Sequence, residues 1–145
     1  MQYEKRFEFL DHTADVYIAA FGASMEEAFE NAALATTEVM TEADQVEPEI
    51  REEVELEAHD MHELLYNWIE ELLFRFETRN NVYSRFKISS IEVGDSGLRL
   101  RAEMWGEAFD PEKHPQKLGV KAITYHLMEI ERKPNKITLK FILDA

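Results

Sequence analysis

The sequence predicts an α+β fold: one domain over residues 1–145, with two helices packed on an antiparallel or mixed β-sheet. Three observations lead there. Two segments, near 25–40 and 61–78, carry apolar residues at the spacing of a half-buried helix. Seven other segments are short and alternate or run apolar, as strands do. The last four of these follow one another through turn sequences, the mark of antiparallel hairpins rather than strand–helix–strand units.

Taken in order, Tyr3 to Leu10 and Val16 to Phe21 read as strands, with Gly22 closing the second. Ser24 followed by Glu27 is a capping box, in which each side chain satisfies a free amide of the other residue. Met25, Ala28, Phe29, Ala32, Ala33, Thr36, Val39 and Met40 then share one stripe, so a helix occupies 25–40. TEADQVEPE is a loop, and Val54 to Ala58 (VELEA) a strand with one acidic face. Asp60 and Glu63 repeat the capping pattern before the most strongly amphipathic segment. There Leu64, Leu65, Trp68, Ile69, Leu72, Leu73 and Phe76 face one way. Phe74 points off that stripe, beside Glu63, Asn67 and Glu70, toward a covering loop or a partner. From Tyr83 the period becomes two. FKISSIEV, the turn Gly94-Asp95-Ser96-Gly97 and LRLRAEMWGEAF form a hairpin, and DPEKHPQKLG is a loop. VKAITYHLMEIE and ITLKFILDA are two further strands, joined around Lys133-Pro134-Asn135-Lys136. The order is ββαβαββββ.

Composition narrows the function. A chain of 145 residues, 45% hydrophobic, has room for a real core. With no cysteine, a disulfide scaffold, a thiolate metal site and a cysteine nucleophile are excluded. No apolar run reaches the length of a signal peptide or the roughly 20 residues of a membrane span, so a cytoplasmic location is expected. The net charge of −14 makes a poor surface for RNA or DNA, which reward clustered basic residues. The acids concentrate between Glu38 and Glu77. They form either a solvated face or a surface that steers a basic partner inward.

Most catalytic constellations are missing: there is no Gly-rich phosphate loop, no GxSxG and no HExxH. His59 and His62, near the start of the second helix, lack a nearby third ligand and read as exposed cap residues. His114 reads as a surface residue of its loop, and His126 as packed or hydrogen-bonded within a strand. Two places hold more. LDHTADV crowds Asp11, His12 and Asp15 between the first two strands, which suits a solvated turn, a cation or a partner. At the other end, Asp144 stands beside Ala145, placing a side-chain carboxylate next to the α-carboxylate. That is a frayed acidic end unless the Lys136–Leu143 strand holds it still. If Asp15 stands at the same sheet edge, three negative oxygen groups converge, and they repel unless a proton or a cation joins them. Hard oxygen ligands suit calcium, magnesium or manganese.

LDHTADV, SMEEAFENAA, LLYNWIEELLFRFE, MWGEAFDPEKHP, VKAITYH and the closing FILDA, taken together and in order over nearly the whole chain, resemble the archease family. The resemblance implies an accessory protein, not an enzyme. It would activate the RtcB-type, GTP-dependent RNA ligase of tRNA splicing by promoting the ligase's guanylylation and its multiple turnover. It implies one divalent metal ion, calcium first and magnesium or manganese as alternatives, held by Asp15, Asp144 and the terminal residue, here Ala145. Most relatives end in a larger aliphatic residue. The resemblance also carries a functional lysine to Lys121, and leaves Asp11 and His12 as groups that support the turn. It implies the ligase as partner, with no stable nucleic-acid binding and no membrane.

Two other readings stand beside it. One is a metal-binding, chaperone-like interaction protein with several clients. The other is a metal-dependent phosphoester hydrolase on Asp15, Asp144 and a histidine, for which the sequence shows no clear general base.

Overall fold

The computed structural model of the chain describes residues 5–11 and 15–145. The first residues of the strand expected from Tyr3, and His12, lie outside them. In chain order, β1 is Phe7–Leu10, β2 Val16–Gly22, α1 Met25–Met40, β3 Ile50–Ala58 and α2 Met61–Arg79. β4 is Asn81–Gly94, β5 Gly97–Ala108, β6 Ala122–Lys133 and β7 Lys136–Asp144. The α+β class and the ββαβαββββ order are the expected ones. A short 3-10 turn, Ala43–Gln45, lies within the expected loop, and β3 begins before Val54. No helix among the described residues is long and apolar enough to cross a membrane.

Both helices start at their predicted caps. Ser24 Oγ accepts from the Glu27 amide at 3.1 Å, and Asp60 Oδ1 from the Glu63 amide at 2.9 Å. The returning carboxylates also reach one residue further back than expected: Glu27 takes the Ala23 amide and Glu63 the His59 amide. α2 ends at Asn80, whose φ of 57° is a left-handed cap that asparagine tolerates.

The strands divide over two sheets, which corrects the single sheet expected. One has the order β1-β2-β7-β6 and the other β3-β5-β4, and every pairing is antiparallel. Alternation reads the same in either sheet. Which sheet a strand joins is decided by the paths of the loops at 41–49 and 109–121, and alternation does not encode those. Where β5 presses on β4, only glycine fits: a Cβ on Gly106 would meet the Val82 carbonyl oxygen at 1.9 Å.

One core draws on both sheets and both helices. Ala28, Phe29 and Ala32 of α1 and Leu64, Leu65, Ile69 and Leu72 of α2 bury with Ile18, Leu139 and Phe141 from one sheet. Leu100 and Met104 come from the other. Trp68 lies fully buried among them, its Nε1 donating to the Phe29 carbonyl at 2.9 Å and its ring meeting Phe86 edge-on. Truncating such a residue to alanine typically costs about 3–5 kcal/mol. The buried Arg75 is answered on three sides. It donates to Glu71 at 2.7 Å, to Glu52 at 3.0 Å and to the Glu53 carbonyl at 3.3 Å. Burial alone would raise the pKa of Glu52, but Tyr83, Arg75 and Arg79 hold it below its ordinary value. This network fastens α2 to the β3-β5-β4 sheet.

β6 carries a bulge. Its register with β7 breaks between Thr124 and Glu129, and Leu127 within the break has φ 57°. The bulge switches which residues face the helices: Ile123 packs on the core before it, Met128 and Ile130 after it. His126, expected to be packed or hydrogen-bonded, sits in this break and is exposed.

Candidate functional site

The antiparallel register of β2 with β7 brings the two ends of the chain together. Val16 pairs with Leu143, so Asp15, one residue before, stands level with Asp144, one residue after. On the far side of β7, Ala122 pairs with Asp144. β7 runs through Asp144, and the Lys121 amide donates to the Asp144 carbonyl at 2.8 Å, so this end is held in the sheet rather than frayed. Leu139, Phe141 and Leu143 point into the core; alternation therefore assigns Asp144 to the opposite face.

Asp15, Asp144 and Ala145 are all half-buried. Among the described residues, neither aspartate side chain has an ion-pair or hydrogen-bond partner. Carboxylates and main-chain oxygens are hard donors of the kind that a divalent cation of the calcium class takes. No three His, Asp or Glu side chains among the described residues come together as a metal site. An ion here therefore needs a main-chain oxygen, such as that of Ala145, or a group outside those residues. Asp11 follows β1 and is exposed, and His12 lies outside the described residues.

Lys121 adjoins Asp144 through its main chain. The residue also lines a recess beside α2 with Leu73, Phe76, Glu77 and Val120. It stands just ahead of β6 rather than within it.

The histidines separate. His59 is exposed and its Nδ1 lies 3.0 Å from Glu63, and His62 is exposed. His114 overturns its expected surface placement, for it is fully buried. Its Nδ1 accepts from the Asp110 amide at 2.9 Å, which puts the proton of the neutral ring on Nε2, 2.8 Å from Glu107. Burial would raise the Glu107 pKa, but the Glu47 amide, Lys113 and His114 outweigh it and hold the carboxyl at about 2. Further on, the Lys117 and Leu118 amides donate to the Met40 and Val39 carbonyls, and Lys117 Nζ pairs with Glu38 and Glu42. The loop at 109–121 is thus pinned twice before it delivers Lys121 to the end of β7. Sequence reasoning missed this anchor, whose one local signal is the four-residue spacing of Asp110 and His114.

A family model described as the archease protein family matches residues 7–145. The chain is 44% identical over 140 residues to the protein archease of Sulfurisphaera tokodaii, covering 97% of this chain and 99% of that one. It is 45% identical over 131 residues to the protein archease of Pyrococcus abyssi, with 90% and 92% covered. Among solved structures, protein 1598 of Methanobacterium thermoautotrophicum superposes with a TM-score of 0.81 at 41% identity, with 96% of this chain and 98% of that one covered. An archease of Thermotoga maritima, described as a possible chaperone, shares the fold at a TM-score of 0.57 and 19% identity, with 99% of each chain covered. A family match over nearly all of the sequence, close relatives of the same length and a shared two-sheet architecture carry one conclusion: the chain belongs to the archease family.

Proposed function

We propose that this chain is an accessory protein that activates an RtcB-type, GTP-dependent tRNA-splicing RNA ligase, promoting the ligase's guanylylation and its multiple turnover. In this reading it is cytoplasmic and not itself an enzyme. A divalent ion, calcium first, is held by Asp15, Asp144 and a main-chain oxygen of Ala145. The observation that supports the site is the β2–β7 register, which sets Asp15 and Asp144, neither of them ion-paired among the described residues, level at one sheet end. Family membership supports the partner.

When bound, the ion supplies positive charge that offsets the converging oxygens. The other roles fall to the chain. The Asp144 carbonyl takes the Lys121 amide and so fixes the strand end; the family resemblance assigns Asp11 and His12 a supporting role and has Lys121 offer a cation to the ligase or its nucleotide. The net charge of −14 disfavours competition for the RNA.

The test is a comparison of the pure chain and the chain with its cognate ligase, each given GTP, a divalent metal and RNA ends. The chain alone should neither join nor cleave RNA, and with the ligase it should raise the guanylylation rate above that of the ligase by itself. Phosphoester hydrolysis by the pure chain would replace this reading with the hydrolase, and equal help to unrelated clients would replace it with the general chaperone. For the ion, calorimetry should show saturable calcium binding that Asp15→Ala and Asp144→Ala each abolish without loss of the fold. Native binding by both variants would remove these residues from the site.

A further inference from the structure

Resting on the accessory role just proposed, we propose that the seam between α2 and β6 is the surface that docks the partner, and that its occupant is a basic segment carrying an apolar side chain.

Tyr66, Glu70, Phe74 and Glu77 recur along α2 so that, at 3.6 residues per turn, they fall within about 80° of one another on one flank. Its Tyr66 edge borders β6, and Phe74 lies at its outward edge. Near its start, Tyr125 of β6 stacks on Tyr66 with ring centroids 4.4 Å apart and planes 10° apart. At its far end, Glu77 and Lys121 line the same recess. Phe74 and Tyr125, each 52% exposed, are among the most exposed large apolar residues described. The result is a row in which aromatic rings and carboxylates alternate.

The carboxylates decide the occupant. Among the described residues neither Glu70 nor Glu77 has an ion pair, whereas the acids on the outer face of β3 and β5 are answered within the chain. There Arg51 meets Glu103 and Glu53, Arg99 meets Glu57, and Arg101 meets Glu55. Tyr125 sits in the same acidic field: burial raises its phenol pKa first, and Glu63, Tyr66, Asp60 and Glu70 raise it further. A surface that covered the aromatics would desolvate these carboxylates, which is costly unless the occupant brings positive charge. A second copy of this chain, at −14, would bring the opposite of what is needed.

The bulge shapes the mode of contact. β6 is an outer strand of its sheet, and the break in its pairing with β7 between Thr124 and Glu129 makes it a bulged one. The left-handed Leu127 is held there by the Tyr17 hydroxyl, 3.4 Å from the Leu127 carbonyl. A bulged edge resists strand addition. Side chains on the seam, rather than main-chain pairing, therefore receive the partner.

The experiment measures direct binding of the cognate ligase by calorimetry, alongside the chain concentration that gives half-maximal guanylylation. Phe74→Ala, Tyr125→Ala and the double variant Glu70→Lys/Glu77→Lys are compared with wild type and with Glu55→Lys on the neutralised face. Each seam change should weaken ligase binding by about tenfold or more, as central aromatic and charged contacts do, and Glu55→Lys should not. Calcium binding should persist in every variant, and the maximal rate at saturating chain should stay near wild type. The charge reversal should also flatten the salt dependence of binding. Wild-type affinity in all three seam variants, with wild-type stimulation present, overturns the docking surface and leaves the accessory role standing. Equal weakening by Glu55→Lys overturns it as well. A wild-type chain that neither binds nor stimulates the ligase overturns both.

Discussion

The Nε2–H of His114 points at Glu107 while its Nδ1 takes the Asp110 amide, so one buried ring closes the loop at 109–121 onto the end of β5. Removing that ring would leave a cavity and a carboxylate short of a donor, so His114→Ala should cost about 2–4 kcal/mol in urea unfolding. The carboxylate's pKa sets a pH window. Glu107 lies at about 2 in the folded chain against a reference of 4.5, a depressed acid. Its stabilising contribution is therefore complete above the reference value and is lost as pH falls from there toward the folded value. Melting temperature should accordingly drop less steeply between about pH 5 and about pH 3 in Glu107→Gln than in wild type; parallel curves would show that the pair is not coupled to folding. At this scale legibility was uneven. Asp15 and Asp144 were readable as acids beside strand ends, but their standing level depends on a β2–β7 pairing that neither apolar pattern specifies. His114 was not, because its contact with Glu107 depends on a loop reversal that no periodicity marks.

Among the elements, α2 was legible from end to end: Asp60 and Glu63 set its start, and Leu64, Leu65, Trp68, Ile69, Leu72 and Leu73 set its buried face. The one buried cation it carries, Arg75, was not, since its partners Glu52 and Glu53 lie on β3 and their approach is a tertiary fact. β6 was read as a strand, but its bulge was hidden, because YHLM reads as an ordinary part of the strand. Leu127 holds a left-handed backbone, which costs an L residue with a branched side chain about 1–2 kcal/mol. Asparagine tolerates that region, so Leu127→Asn should leave stability unchanged or raise it by up to about 1 kcal/mol, despite the loss of an apolar side chain. A loss of more than about 1 kcal/mol by urea unfolding would mean that Leu127 earns its place through packing instead.

Across the whole molecule, the division into two sheets and the placement of charge both bear on function. The sheet β1-β2-β7-β6 carries Asp15 and Asp144 at one end, while β3-β5-β4 supplies much of the remaining core and a face whose acids are matched by arginines. The order of the elements along the chain was readable from the sequence. The split between sheets was not, because the crossing loops carry their information in contacts such as Lys117 with the end of α1. The net charge of −14 is expected to speed encounter with a basic partner, an effect that fades as salt shortens the screening length to about 8 Å near physiological strength. The most direct test of the account is single-turnover guanylylation of the cognate ligase, measured over a salt series with wild type, Asp15→Ala and Asp144→Ala. Wild type should accelerate the reaction, with an advantage that shrinks as salt rises faster than the basal rate does, and both aspartate variants should lose the acceleration. Full acceleration by both variants would contradict the site at the sheet end, and an unaccelerated reaction with wild type would contradict the accessory role itself.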